Sequence, residues 1–459
     1  MSELNPAQIL IAARDKKKWE DRWKVIEALI ESMMSTLPKD LPRRTLFVCL
    51  LSHLQDFSRG QFYYFYTKLR AGEAAPDGFS HDQALSWLID QTGFDLTLIA
   101  QAIQQRHTST SADIRTALQV ADQFAERMLA PSRTFFTEMP AVLTYLQKSA
   151  HSRVIPYAPV AMVAVPYTCV PAPGGNSGLM YRRDYLALPH EIGHYVYWHG
   201  TIPEGAFAGL ACHRAIPSRM TKLGMPNWAL DWAEEIFADV YGCRVAGPMI
   251  ALDFQDLQVD LHARASFVTN DGEHPTPYLR PEIYLHTLEA LQMGKWARAL
   301  GIRWSHLRDA LAPSQPTLLT HGTDGSSGPG DTTLDNARNL LKAITVDLNQ
   351  ALDPVKFGAD NLKPIFTVTV DRPMDTSQVE RMFELWAGID PTSIGDLGAQ
   401  FEDHCLPFVW LDWKNQQLEQ SLLSVPLATN ESKESREWLV VMRAGGWTTE
   451  GPDSNPDPK

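Results

Sequence analysis

The chain has 459 residues, 44% apolar and 21% charged, with a formal net charge of −13 and a pI near 5.5. That length exceeds what one hydrophobic core supports and points to two or three domains. The acidic balance argues against nucleic acid or an anionic membrane surface as the main partner.

Five cysteines (Cys49, Cys169, Cys212, Cys243 and Cys405) are scattered without a CxxC pair. This fits free thiols in a reducing compartment. The first residues, MSELNPAQILIAARDKKKWEDRW, hold no apolar segment of signal-peptide type. The apolar run at 154–170, VIPYAPVAMVAVPYTCV, is interrupted by prolines and is no membrane helix. A soluble cytoplasmic protein is the expectation. Arg43, Arg44 and the Lys16–Lys18 run read as solvated faces.

Residues 1–150 read as a helical region. Trp19, Trp23, Ile26, Ile30, Met33 and Leu37 recur at alternating spacings of four and three, which makes one apolar helix face. Pro38 and Pro42 end that helix. TLFVCLLSHLQDFSRGQFYYFYTKLRAG is a denser, central helix, and two or three more fill 81–150. This region is a candidate surface for a protein partner, or a brace for the neighbouring domain.

The texture changes near Val154. VAMVAVPYTCV reads as a buried strand, PAPGGNSG (171–178) as a turn and GLMYRR as the returning strand. The hairpin leads into a helix carrying LALPHEIGHYVYWHG (186–200). A second strong helix starts near Pro226 and stops at Gly247-Pro248. Residues 313–333, rich in Gly, Ser, Pro and Thr, read as a flexible loop or linker. The helix LDNARNLLKAITVDLNQAL comes next. Strands such as PIFTVTV and EWLVVMRA give residues 334–449 a mixed α/β character, and 450–459 form a disordered tail.

HEIGH carries the chemistry. Residues four apart share a helix face, so His190 and His194 can present two imidazoles to one metal ion. Glu191, rotated by about 100°, lies beside such an ion, where it can take a proton from a bound water. A buried helix has little reason to carry these three groups without a partner. The metzincin pattern fails, because Tyr197 and Gly200 stand where Gly and His are required. His199 points away from the pair on a continuous helix. The third ligand must come from elsewhere, and DWAEEIFADVYG offers Glu235, four residues before Asp239, with Glu234 as a competitor.

The combination of HEIGH and EIFAD resembles the thermolysin-like gluzincin superfamily of zinc metallopeptidases. The likeness spans roughly 155–250. It implies an α+β, mainly helical chain in which 151–312 form a zincin-like catalytic domain with a small sheet. It implies His190, His194 and Glu235 as ligands to one Zn2+ per chain, Glu191 as general base and Asp239 as acceptor for a ligand imidazole, His190 first. DGEHPTPYLRPEIYLHTLEAL, from 271, supplies candidate oxyanion donors in His274 and Tyr278. Arg280 either binds a substrate carboxylate or pairs with an acidic neighbour. The substrate implied is a polypeptide.

The gap between His194 and Glu235 is longer than in thermolysin, so the resemblance stops at the superfamily. The insert TIPEGAFAGLACHRAIPSRMTKLGM is a candidate cover for the cleft, and its Cys212-His213 pair reads as a buried thiol beside a surface histidine. Two other readings stay open. One is a non-enzymatic zinc-stapled scaffold. The other is a deformylase-like amidohydrolase with Cys169 as third ligand.

Overall fold

The computed structural model describes residues 6–72, 80–108, 110–170, 184–205, 207–261, 267–311, 319–320, 333–355, 439–443 and 446–450. The chain is mainly helical with a small three-stranded sheet. Four long helices come first: α1 (Pro6–Thr36), α2 (Arg44–Ala71), α3 (His81–Arg106) and α4 (Ala112–Leu129). Strands β1 (Ala141–Gln147), β2 (His151–Arg153) and β3 (Val160–Pro166) form a sheet in the order β1-β3-β2. After them come α5 (Leu188–His199), α6 (Cys212–Lys222), the single turn α7 (Asn227–Leu230), α8 (Ala233–Ala246), α9 (Pro248–Leu261), α10 (Pro281–Ala290), α11 (Gly294–Leu311) and α12 (Leu334–Ala351).

The described residues divide into two compact units. One takes those within Met1–Arg115, Arg153–Met162 and Asp412–Lys459. Here Trp19, Trp23, Ile26, Ile30 and Leu37 of the expected α1 face are buried, and Met33 is half-buried. Trp23 stacks on Phe62 of α2 with ring centroids 5.0 Å apart. Ser80 starts α3 with a capping box closed by Gln83.

The second unit takes Thr116–Ser152 and the described part of Val163–Leu411. Its central element is α8, buried without a break from Ile236 to Ala246. A helix buried on all sides, with its Asp239 and Arg244 paired inside, belongs in the middle of a core. Tyr241 ties it to the end of α4 through a 2.7 Å hydrogen bond to the Met128 carbonyl. Arg244 donates to Val355 O at 2.8 Å and Asn349 Oδ1 at 2.9 Å, gathering the chain end of α12. Asp122 on α4 accepts from the backbone and hydroxyl of Thr144 on β1 at 2.8 and 2.7 Å.

Several sequence expectations need correction. Residues 1–150 are not wholly helical, since β1 occupies 141–147; its alternation is hidden because six of its seven residues are buried. The helix expected from Pro226 to Gly247 is two pieces, α7 and α8, separated at Asp231-Trp232. It does stop at Gly247, whose φ of 64° is left-handed, but α9 begins at the next residue. The residues directly before α5 form a 3-10 turn, Asp184–Ala187.

The turn at 171–178 and the strand after it lie outside the described residues, as do PIFTVTV, most of 313–333 and residues 451–459. Within the linker, Leu319–Thr320 pair in parallel with Thr269–Asn270. EWLVVMRA contributes the strand Leu439–Arg443, paired with Gly446–Glu450.

Candidate metal centre

Two helices build the site, α5 with HEIGH and α8 with EIFAD, and two glycines let them meet. A Cβ on Gly193 would lie 2.7 Å from Ala238 Cα, and one on Gly242 would lie 3.2 Å from the His190 nitrogen. No side chain separates the backbones there. Contact this close carries Glu235, near the start of α8, up to the imidazoles of the first two turns of α5.

His190, His194 and Glu235 each offer a ligand atom within 4.8 Å of the others. The two Nε2 atoms are 3.0 Å apart. Glu235 Oε2 lies 3.5 Å from His190 Nε2, and Oε1 lies 3.5 Å from His194 Nε2. Zn–N bonds of about 2.0–2.1 Å at a tetrahedral angle set nitrogens about 3.3 Å apart. The triangle is therefore the size a zinc ion requires.

The opposite edge of each imidazole faces its own carboxylate. His190 Nδ1 lies 2.9 Å from Asp239 Oδ1, off the ideal hydrogen-bond direction, and His194 Nδ1 lies 2.9 Å from Glu234 Oε1. A carboxylate at Nδ1 keeps the imidazole proton on that side and leaves Nε2 as a lone pair. Two lone pairs facing each other at 3.0 Å, with a carboxylate alongside, need a cation between them. The donor set fits a divalent metal on chemistry as well as on size.

In the metal-free site the surrounding carboxylates favour protonated imidazoles, so a proton takes the place a cation would hold. Burial opposes charge on His190, yet Asp239 and Glu235 carry its pKa up to about 10. His194 moves up as well: burial opposes this, while Glu235 and Glu234 favour it. Burial would raise Glu235, but Arg280, then His194 and His190, hold it well below the usual carboxylate range. Arg280 pairs with two carboxylates, Glu235 and Asp239, while a third, Glu234, faces His194, an excess of negative charge that a dication matches.

Arg280 is not open to substrate. It donates to Asp239 Oδ2 at 2.7 Å and to Glu235 Oε2 at 2.5 Å, and its guanidinium lies 4.9 Å from the Phe254 ring centroid. Of the two roles the sequence leaves for it, it takes the acidic-neighbour one. Tyr284 completes the set by donating to Asp239 Oδ1 at 2.8 Å. Sequence reasoning misses that tyrosine, although it sits four residues after Arg280 on the next helical turn.

Glu191 is 8% exposed and makes no hydrogen bond or ion pair with another described residue. His274 brings Nε2 to 3.5 Å from Glu235 Oε1, while its Nδ1 lies 2.8 Å from Asp271 Oδ2. Tyr278 is engaged elsewhere, edge-on to Phe267 and beneath the guanidinium of Arg308 at 5.1 Å. Glu234 stands behind His194 and outside the ligand triad, and it also accepts from Trp198 Nε1 at 2.7 Å. Cys169 is buried and lies outside the triad; burial pushes its thiol well up, away from the thiolate a metal needs. His199 lies on α5 beyond the pair, stacked on Tyr195 with ring centroids 4.5 Å apart.

Compared with protein-family models, curated proteins and solved structures, the chain matches none. Among the described residues, no helix is long and apolar enough to cross a membrane.

Proposed function

We propose that this chain is a zinc-dependent metallopeptidase with a zincin-like catalytic region of the gluzincin type. The observation that carries the reading is the convergence of His190, His194 and Glu235 on one point, with Glu191 next to His190 in the chain and without a partner among the described residues. Three protein ligands leave a position for water, the arrangement of a catalytic zinc rather than a structural one. Bound there, zinc supplies Lewis acidity, lowering the pKa of water to about 7 and polarising a carbonyl.

Glu191 takes the proton of the attacking water and passes it to the leaving nitrogen. Its lack of a partner among the described residues suits this role, because a base held in an ion pair is not free to accept. His274 is the oxyanion donor. It acts there as the imidazolium: Asp271 accepts from its Nδ1–H, and Nε2–H, turned toward Glu235, is the donor. Asp239 and Glu234 orient the two imidazoles, and Arg280 offsets the buried negative charge. The substrate class is polypeptide.

Glu191→Gln tests the reading. The variant is expected to bind zinc as the wild type does and to lose peptide cleavage. Cleavage at the wild-type rate would remove Glu191 from the mechanism. Zinc binding with no peptidase activity in either protein would favour the zinc-stapled scaffold.

A further inference from the structure

The second imidazole of the pair is held by a chain of contacts that leaves the two motif helices. His194 Nδ1 lies 2.9 Å from Glu234 Oε1, and the same oxygen accepts the Trp198 indole N–H at 2.7 Å. Trp198 is one helical turn beyond His194 on α5, so both donors reach one carboxylate from one helix face. The far side of the indole is covered by His213 of α6, whose ring stacks on it at 5.2 Å and 25°. His213 Nδ1 also lies 3.2 Å from the Trp198 carbonyl. The backbone locks the same junction, with Cys212 N donating to Gly200 O at 2.8 Å.

We propose that Glu234 is a positioning residue for the metal ligand His194 and that Trp198, clamped by His213 of the inserted helix α6, fixes Glu234 in place. This rests on the proposed metal site and extends it: the insert between the motif helices is part of that site's support. The physics is specific. A carboxylate with two N–H donors on one oxygen cannot rotate without losing both bonds. With Glu234 fixed, the His194 proton stays on Nδ1 and Nε2 stays a donor to metal. Glu235 is the ligand and Glu234 the support, so adjacent glutamates on α8 have separate tasks. Asp239 does for His190 what Glu234 does for His194.

The test is metal affinity by chelator competition, with zinc as the probe, on the full chain. The proteins are wild type, Glu234→Ala, Glu234→Gln, Trp198→Phe and Glu235→Ala, and thermal unfolding of each metal-free protein is tracked in parallel. Glu234→Ala is expected to weaken zinc binding about 10- to 100-fold. Glu234→Gln, which keeps shape and loses charge, should fall between it and wild type, and Trp198→Phe should lose about threefold to tenfold. The Co2+-loaded protein supplies a second readout, because its visible absorption should shift in Glu234→Gln if the His194 ligand moves. Wild-type affinity and an unchanged cobalt spectrum in Glu234→Gln would overturn the proposal. Zinc binding equally absent from wild type and Glu235→Ala would instead remove the metal site beneath it. If Glu234→Ala does not fold, Glu234→Gln and Trp198→Phe decide.

Discussion

Gly193 meets Ala238 backbone to backbone: a Cβ at position 193 would sit 2.7 Å from the Ala238 Cα and 3.0 Å from its carbonyl oxygen. This contact lies at the centre of HEIGH and one residue before Asp239, so it sets the spacing of the metal centre. Those neighbouring atoms belong to the backbone of a buried helix and cannot turn aside as a flexible side chain would. Gly193→Ala should therefore wedge α5 from α8. The expected cost is about 1–3 kcal/mol of stability, together with weaker zinc binding as Glu235 recedes. Urea midpoints with and without zinc measure both. A variant as stable and as tightly binding as wild type would show that the helices slide freely.

Removing the buried guanidinium should be more damaging in the metal-free protein than in the loaded one. Arg280→Met leaves Asp239 and Glu235 facing each other without their cation. Breaking a buried pair from one side costs roughly 3–5 kcal/mol. Zinc supplies positive charge at the same carboxylates, so the difference between variant and wild type is expected to shrink when zinc is added. Chemical denaturation in chelator and in zinc checks this, and equal losses in both conditions would contradict it.

A pH effect is expected from the end of α5. His199 Nε2 is buried and has no hydrogen-bond partner among the described residues. Burial, helped by His213, lowers its pKa from 6.5 to about 4. Between those values the unfolded chain binds a proton that the folded chain refuses. Stability is therefore complete above pH 6.5 and falls as pH drops toward 4, at no more than about 1.4 kcal/mol per pH unit. Partial exposure of the residue keeps the slope below that limit. Urea midpoints of metal-free protein at pH 7 and pH 5 should differ less in His199→Phe than in wild type. Equal differences would remove His199 as the cause.

The sequence was most legible where chemistry and helical spacing coincide. HEIGH and EIFAD place His190, His194, Glu235 and Asp239 by simple periodicity, and the structure brings those four together. The α1 face from Trp19 to Leu37 was readable for the same reason. Contacts between elements were not. Glu234 reads from the sequence as a rival ligand, and only the crossing of α5 and α8 shows it behind His194. Arg280 was ambiguous because its two acceptors lie 41 and 45 residues away. Strand β1 was missed because near-complete burial removes the alternation that reveals a strand. The break between α7 and α8 falls at Asp231-Trp232, with no proline or glycine to mark it.

The most direct measurement is metal content by elemental analysis of purified wild type, Glu235→Ala and Cys169→Ala. One zinc per chain in wild type, lost in Glu235→Ala and kept in Cys169→Ala, is the expected result. Absence of zinc from wild type after reconstitution, or its persistence in Glu235→Ala, would contradict the metal centre on which the proposed activity depends.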